Sequence, residues 1–416
     1  MKDRRNFLKL FGTGLSGAIL TSSKVSAETL SIKNGTLKVG VLLPQSENNK
    51  QYSESFLNGF KLGLNERNRI ELKSFDVFTE SVKYGSSYLA SKKAKQLIFE
   101  NKVNLIVGLL NSESTLELGE LAQENKLPVL IANAGENYIS DTKRKNPYMF
   151  FNSLDLFKNS YLTGKLAVEK YGKNIVVVSS LFDSGYDALI AFYKGVEEAG
   201  GTITKTFVKG QNDNEFFHKT FDNIKELEAD CIYVFLNGDF ANTFFNIAKI
   251  QDINLPLLST SFATDENNLL RSGTTANKIE NFSCWNKNVK NTENRNFISS
   301  YLQAYSKDPG QFGFLGYETG LIINSSVENC RNELSGIHLA NALKNCKVNS
   351  PAGKITVNNN GLVNNPVYLC YTGIKGNQIL TNKIAKEINI EGEFDLSFTD
   401  LHTDIRSGWL NPYPFI

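Results

Sequence analysis

The sequence predicts an α/β protein made of two lobes of one architecture, each built on a parallel sheet. Three observations carry this expectation. Short runs rich in Val, Ile and Leu alternate with helical stretches of about 10–15 residues, the pattern of βαβ units. That alternation runs from 37 to 132 and then restarts beyond 157. The chain has 416 residues, and at ~150 residues per domain this suggests two or three domains.

In the first set, LKVGVLL (37–43) reads as a strand and SESFLNGFKLGLNE (53–66) as a helix with Phe56, Phe60, Leu62 and Leu64 apolar. IELKSFDVF (70–78) alternates like a strand, SSYLASKKAKQLIFE (86–100) is helical, and VNLIVG (103–108) is a buried strand. STLELGELAQEN (114–125) and LPVLIA (127–132) add a helix and a strand. In the second set the predicted helices cover 157–172, 184–200, 214–227 and 239–251, and the strands 173–180, 202–209, 229–236 and 255–260. Right-handed crossovers place such helices on both sheet faces. Beyond about 284 come helical stretches, then an antiparallel piece over 353–373 with a turn at Asn358–Gly361. The last forty residues are polar and poorly periodic, and read as an irregular arm carrying Trp409, Pro412 and Pro414.

The N-terminus reads as a targeting segment. Arg4-Arg5 followed by Phe7-Leu8-Lys9 resembles the twin-arginine export signal, and a short apolar stretch diluted by Gly and Ser follows. That stretch is shorter than the ~20 helical residues a bilayer requires. Val25-Ser26-Ala27 supplies the small residues of a cleavage site, so residues 1–27 are expected to be removed in the periplasm by way of the twin-arginine machinery. Gly12, Gly14 and Gly17 spell G-x-G-x-x-G, but no strand precedes them, so no dinucleotide meaning attaches. The formal net charge is +2, of which the first 27 residues hold a local +4. The nearly neutral remainder offers no reason to expect nucleic acid as a partner, and with no later run of ~18 apolar residues the mature chain is expected to be soluble.

Catalytic motifs are missing. No phosphate-loop or G-x-S-x-G pattern occurs, and no cofactor is expected. The five cysteines (Cys231, Cys284, Cys330, Cys346, Cys370) and three histidines (His218, His338, His402) show no metal-ligand spacing. Cys231 and Cys370 read as core residues, and Cys330 with Cys346 is a candidate disulfide.

What remains are polar loops where parallel strands end, which is where open α/β sheets bind ligands. They hold Pro44-Gln45-Ser46, Leu109 to Ser114, Asn133-Ala134-Gly135-Glu136, Asp183 to Tyr186, Asn237-Gly238-Asp239 and Ser261-Phe262. Each leads into a helix start, whose free N–H groups favour anions. Plain helix capping is the alternative for Ser112, Ser114 and Ser184.

These residues also carry a resemblance. TLKVGVLLPQS (36–46), GFKLGLNERN (59–68), VNLIVGLLNSEST (103–115), LPVLIANAGENY (127–138), NPYMFFNSLD (146–155), IVVVSSLFDSGYDALIAFYKGVEEAGGTI (175–203) and GFLGYETGLIINSSV (313–327) follow, in order, the pattern of the type I periplasmic binding proteins of the leucine/isoleucine/valine-binding family. The resemblance covers about 36–373. It implies two Rossmann-like lobes joined by a three-strand hinge that closes on a small solute. The implied divisions are 36–155 and 284–352 for lobe one, 156–283 for lobe two, and 353–416 for a lobe-two return and C-terminal arm.

By the same resemblance, Ser112, Asn133, Ala134 and Gly135 hold a ligand carboxylate and Tyr186 is a lobe-two lid residue. Asp239, Ser261 and Glu318 fall at further ligand positions, Glu318 with burial as a structural partner equally open. Glu136 and Glu47 depart from the family pattern and argue against a branched-chain amino acid. The expected function is a non-enzymatic solute-binding protein that delivers an amino acid, amide or other small polar molecule to an ABC transporter permease. A ligand sensor on the same fold is the alternative. A two-lobed transferase is disfavoured because the loops are poor in Arg and Lys.

Overall fold

The computed structural model describes residues 36–388 except 46–49, 66–74, 84, 136–145, 211–212, 214, 266–277, 331–334 and 376–378. The segment predicted to be cleaved, Ser46, Glu47, Glu136 and the arm beyond 388 therefore lie outside the described residues.

Lobe one begins with β1 (Leu37–Leu43), α1 (Lys50–Asn65), β2 (Phe75–Ser81), α2 (Ser87–Phe99), β3 (Leu105–Leu109), α3 (Ser112–Asn125), β4 (Val129–Asn133) and β5 (Met149–Ser153). Its five strands pair in the order β2-β1-β3-β4-β5, all parallel. β1, β3 and β4 are buried almost throughout, which is why they read as unbroken apolar runs: helices cover both faces.

Lobe two follows with α4 (Leu156–Tyr171), β6 (Asn174–Ser180), a 3₁₀ turn (Asp183–Gly185), α5 (Asp187–Glu198), β7 (Thr202–Lys209), α6 (Phe216–Lys225), β8 (Cys231–Phe235), α7 (Gly238–Ile250), β9 (Leu257–Ser259) and β10 (Ile279–Ser283). The helix predicted over 184–200 is thus split, because the chain turns tightly at Asp183 before α5 starts. The chain then returns to lobe one through α8 (Thr292–Tyr305), α9 (Gln311–Asn329) and α10 (Gly336–Lys344). A small antiparallel sheet of β11 (Lys347–Ser350), β12 (Gly353–Val357) and β13 (Val363–Asn364) comes next. It docks on β5, where Phe151 N–H donates to Gly361 O at 2.8 Å. Its turn at 358–361 is the expected one.

Finally β14 (Val367–Lys375) and β15 (Ile379–Ile388) add antiparallel strands to lobe two, giving the order β15-β14-β10-β9-β8-β6-β7. The sequence reading missed β15. Its polar run, T-N-K-I-A-K-E, suits an outermost strand, where charged side chains blunt the open edge.

The chain therefore passes between the lobes three times: after β5, after β10, and between β13 and β14. These passages form the expected hinge. One apolar cluster runs through it, from Leu43 and Phe56 of lobe one by way of Leu156 to Phe192 and Tyr233 of lobe two.

Helix α9 is buried from Gln311 to Val327. It lies against α1 so closely that a Cβ on Gly59, Gly63, Gly316 or Gly320 would fall 1.9–2.5 Å from a backbone oxygen of the facing helix. Gly313, Gly316 and Gly320 recur on one face of α9 as Gly59 and Gly63 do on α1, so backbone meets backbone along the seam. The paired residues rise together in number (Phe56 with Gly316, Phe60 with Gly320), so the helices run in the same direction. Both begin at the strand-end side of the sheet, where the polar loops lie.

Candidate functional site

The loop after β3 is organised by Asn111. It caps α3 by accepting from Ser114 N–H at 3.0 Å, and its Nδ2 donates to Gly85 O at 3.3 Å. Capping therefore belongs to Asn111, and Ser112 is the first helical residue. Ser114 is fully buried, and its hydroxyl has no hydrogen-bond partner. Asn133 ties the neighbouring loop to this one: Nδ2 donates to Leu110 O at 3.5 Å and Oδ1 accepts from Gly135 N–H at 2.9 Å.

Ala134 and Gly135 accept from Leu156 and Phe157 N–H at 2.9 and 3.0 Å. Gly135 has φ +109°, and a Cβ there would lie 2.4 Å from Leu156 N. The close approach that this glycine permits is thus taken up by the chain's own first passage.

In lobe two the loop after β6 folds around Asp183. Ser180 Oγ donates to its carboxylate at 2.6 Å and accepts from Asp183 N–H at 3.0 Å. Burial pushes this carboxyl up to about 7 against the pull of Ser180 and the Asn237 backbone. Ser184 does not cap a helix; its hydroxyl donates to Leu181 O. Tyr186 is 1% exposed and belongs to the apolar cluster that spans the hinge. Asn237 caps α7 through Gly238 N–H, while Asp239 is exposed in the first turn. Ser261 is buried.

The two lobes meet through residues the sequence reading did not single out as binding residues. Phe262, from the loop after β9, stacks on Phe312 of α9 with centroids 5.8 Å apart. Phe312 in turn packs against Tyr52 of α1 at 5.2 Å. Beside them Gln311 N–H donates to Asp265 of the lobe-two loop at 3.0 Å, and Gln311 Nε2 donates to Trp285 O at 3.4 Å. Gln311 Oε1 is buried without a donor. Sequence held one signal for this group: Tyr52 lies four residues before Phe56 on the apolar stripe of α1. The meeting of 52 with 312 had none.

Glu318 does not sit with the loops. It lies on α9, 0% exposed, among Ser350, Asn152 and Asn365. Burial pushes the carboxyl up to about 7 against the pull of Ser350, Asn152 and Asn365, and Asp155 adds to the rise.

Burial pushes the Cys231 thiol up to about 12, and His218 shares a hydrogen bond with Gln251 rather than facing that thiol. Cys330 and Cys346 are thiols, so the candidate disulfide is not formed; Cys346 Sγ donates to Ile322 O. Among the described residues no group of three or more His, Cys, Asp or Glu could hold a metal ion. No helix among them is long and apolar enough to cross a membrane.

Comparison with known proteins agrees with this geometry. Residues 36–376 match the family model described as periplasmic binding protein. The Leu/Ile/Val-binding protein homolog 6 of Brucella suis is 21% identical over 329 residues, covering 77% of this chain and 83% of that protein. Among solved structures, a solute binding protein of an ABC transporter from Rhodopseudomonas palustris HaA2, in complex with p-hydroxybenzoic acid, superposes with a TM-score of 0.74 at 22% identity. The match covers 88% of this chain and all of that one. A leucine binding protein from Thermotoga maritima gives 0.67 at 18% identity, covering 85% and 97%.

Proposed function

This chain belongs to the periplasmic binding protein family, and we propose that it captures a small carboxylic acid with an apolar or aromatic body, amino acids included, and delivers it to an ABC transporter permease. The observation that carries this reading is the inter-lobe stack of Phe262 on Phe312, which also packs against Tyr52, beside the loops at the strand ends. Aromatic faces from both lobes give an apolar body a large contact area. The start of α3, with Ser112 and Ser114, offers N–H and hydroxyl donors to a carboxylate. Asn133, Ala134 and Gly135 set the depth of that loop, and Gln311 Oε1 accepts from a donor on the ligand. Tyr186 supports the lobe-two wall from the core side. Asp239 stands at its exposed edge, and the buried Ser261 lies within it.

The reading extends to export, with Arg4-Arg5 addressing the precursor to the twin-arginine route and cleavage after Ala27. Related proteins that bind p-hydroxybenzoic acid or leucine support an acid of this kind. The binding step itself uses no catalytic residue: closure buries the solute and exchanges its water for fixed donors.

The test is a thermal-shift screen of the purified chain with leucine, phenylalanine, benzoate, 4-hydroxybenzoate and their amides. A bound acid at about 100 times its Kd adds ~2.7 kcal/mol of stability. Phe312→Ala should weaken its binding by ~1–3 kcal/mol, the cost of losing an aromatic anchor. A panel in which the amides, but none of the acids, raise the melting temperature would sink the carboxylate assignment.

A further inference from the structure

Helices α2 and α3 lie side by side over one face of the lobe-one sheet. Ala90, Ala94 and Leu97 of α2 share an apolar core there with Leu118, Leu121 and Ala122 of α3 and with Leu42, Ile106 and Ile131 of the strands. Their outward faces are opposite in charge. On α2, Tyr88, Lys92, Lys95 and Phe99 recur at helical spacing and are all exposed, so they stand on one outward stripe. On α3, Glu117, Glu120 and Glu124 do the same.

A merely solvated surface does not need this arrangement. Like charges one turn apart destabilise the helix that carries them, and Glu124, in the last turn of α3, opposes the helix dipole. Among the described residues Lys92, Lys95, Glu117, Glu120 and Glu124 form no ion pair, whereas Lys93, one position off the stripe, is held by Glu80 at 2.8 Å. Tyr88 and Phe99 are 69% and 54% exposed, and they are the only aromatic side chains among the large apolar groups that the described residues leave in water.

The two stripes also match in height. Lys92 and Lys95 are the sixth and ninth residues of α2, and Glu117 and Glu120 are the sixth and ninth of α3. The strands that feed these helices end level on β1, with Ser81 opposite Leu43 and Gly108 opposite Leu42. β2, β3 and β4 all point the same way, so the helices between them do too. Past the helix ends the signs change together: exposed Glu100 follows α2 and exposed Lys126 follows α3.

We propose that this face of lobe one binds the same face of a second copy of the chain. A two-fold axis in the contact plane, running between α2 and α3 and parallel to both, lays α2 of each copy on α3 of the other, as a self-complementary interface demands. Lys92 then faces Glu117 of the other copy and Lys95 faces its Glu120, with Tyr88 and Phe99 closing the two ends of each stripe. An axis across the helices would set α2 on α2, lysine on lysine. The favoured axis leaves the strand-end loops of both copies pointing the same way and outside the contact. From Tyr88 to Phe99 the stripe spans ~16 Å, and two packed helices present a face ~20 Å wide, well short of the ~800 Å² per partner of a stable complex. The association is therefore reversible, and it weakens as salt screens the pairs.

The test is sedimentation equilibrium of the purified full chain, up to near-millimolar protein, at ~0.01 M and ~1 M ionic strength, over which the screening length falls from ~30 to ~3 Å. The expected result is a monomer–dimer equilibrium at low salt that dissociates at high salt. Lys95→Glu and Glu120→Lys should each weaken dimerisation about tenfold, since each turns two attractive pairs per dimer into repulsive ones. Placed together in one chain they should restore it, because the exchanged charges meet across the axis. Lys92→Glu with Glu117→Lys is a second, independent exchange. All four side chains are exposed, so the melting temperatures should stay within the scatter of the unaltered chain. A chain that is monomeric at every concentration, single reversals without effect, or double exchanges no better than either reversal alone would each overturn the proposal. So would a monomer that co-sediments with phosphatidylglycerol vesicles, which would assign the lysine stripe to an anionic membrane surface.

Discussion

The two lobes repeat one strand order and differ in how they attach the helix that arrives from a passage. Lobe one runs β2-β1-β3-β4-β5 and lobe two β7-β6-β8-β9-β10, the same plan twice. In each lobe the helix after the first strand packs on a helix that follows a passage: α1 on α9, and α5 on α4. Glycines allow both contacts. In lobe two a Cβ on Gly164 or Gly195 would lie 2.1–2.3 Å from a backbone oxygen. In lobe one four glycines do the same, two on each helix one turn apart. The longer seam has a reason. α4 is tethered directly to β6, whereas α9 arrives after a long excursion and is buried on nearly every side. Backbone proximity replaces chain connection as what positions it.

If that is right, crowding the lobe-one seam should do the most damage. Gly59→Ala and Gly316→Ala should each destabilise the protein by about 3 kcal/mol, the upper end for overpacking, even though alanine favours the helix by ~1 kcal/mol. Gly195→Ala in lobe two should lose less, ~2 kcal/mol. Gly313→Ala, whose nearest contact is the movable Ser55 side chain, should change little. Urea melts of the four variants decide the matter. Equal losses in the two lobes would break the comparison.

A second contrast sets Asp183 of lobe two against Glu318 at the hinge. Both carboxyls are raised to about 7 by burial, so the folded state binds protons that the unfolded state has released. The stabilisation this brings is complete below the unfolded values near 4 and is lost as pH rises through 7, up to ~3–4 kcal/mol per group. Thermal melts should show stability falling from pH 5 to pH 8. Asp183→Asn and Glu318→Gln should each flatten part of that slope. A melting temperature that rises over this range would contradict the assignment of either group as neutral.

The smallest effect should come from the far end of lobe two. Buried Glu280 accepts from Lys170, Lys278 and Tyr171 at 2.5–2.7 Å. Burial alone would raise its pKa, and these three partners lower it on balance. The sign is then opposite to that of Asp183: its contribution is present at neutral pH and lost as acid protonates it. Both lysines are about half exposed and remain largely hydrated. Glu280→Gln should therefore cost only ~1 kcal/mol at pH 7, read as a shift of the urea midpoint. A loss several times larger would show that lobe two is pinned at its base rather than at the α4–α5 seam.

Much of this fold was legible in the chain. LKVGVLL and VNLIVG announce buried strands because strands covered on both faces need no polar alternation. The restart after 157 announces the second lobe. Asn358–Gly361 announces a turn. β15 was not legible, because an edge strand needs no apolar face and its polar residues look like those of a loop. At the site, the loops at the strand ends were found by position alone. What each residue there touches was not legible: Gly135 packs against the first passage, and Asn111 caps α3, which sets aside the capping alternative for Ser112.

The sequence alone determined the elements, their order and the face each must bury, since these follow from local spacing and side-chain type. Only the tertiary structure decided that Phe312 meets both Tyr52 and Phe262, that Asp265 receives the N–H at the start of α9, and that Glu318 is buried among Ser350, Asn152 and Asn365. Each is a contact between residues tens to hundreds of positions apart. Such contacts are set by the rotation of one lobe against the other and by how closely two helices can approach, and no window of neighbouring residues records either.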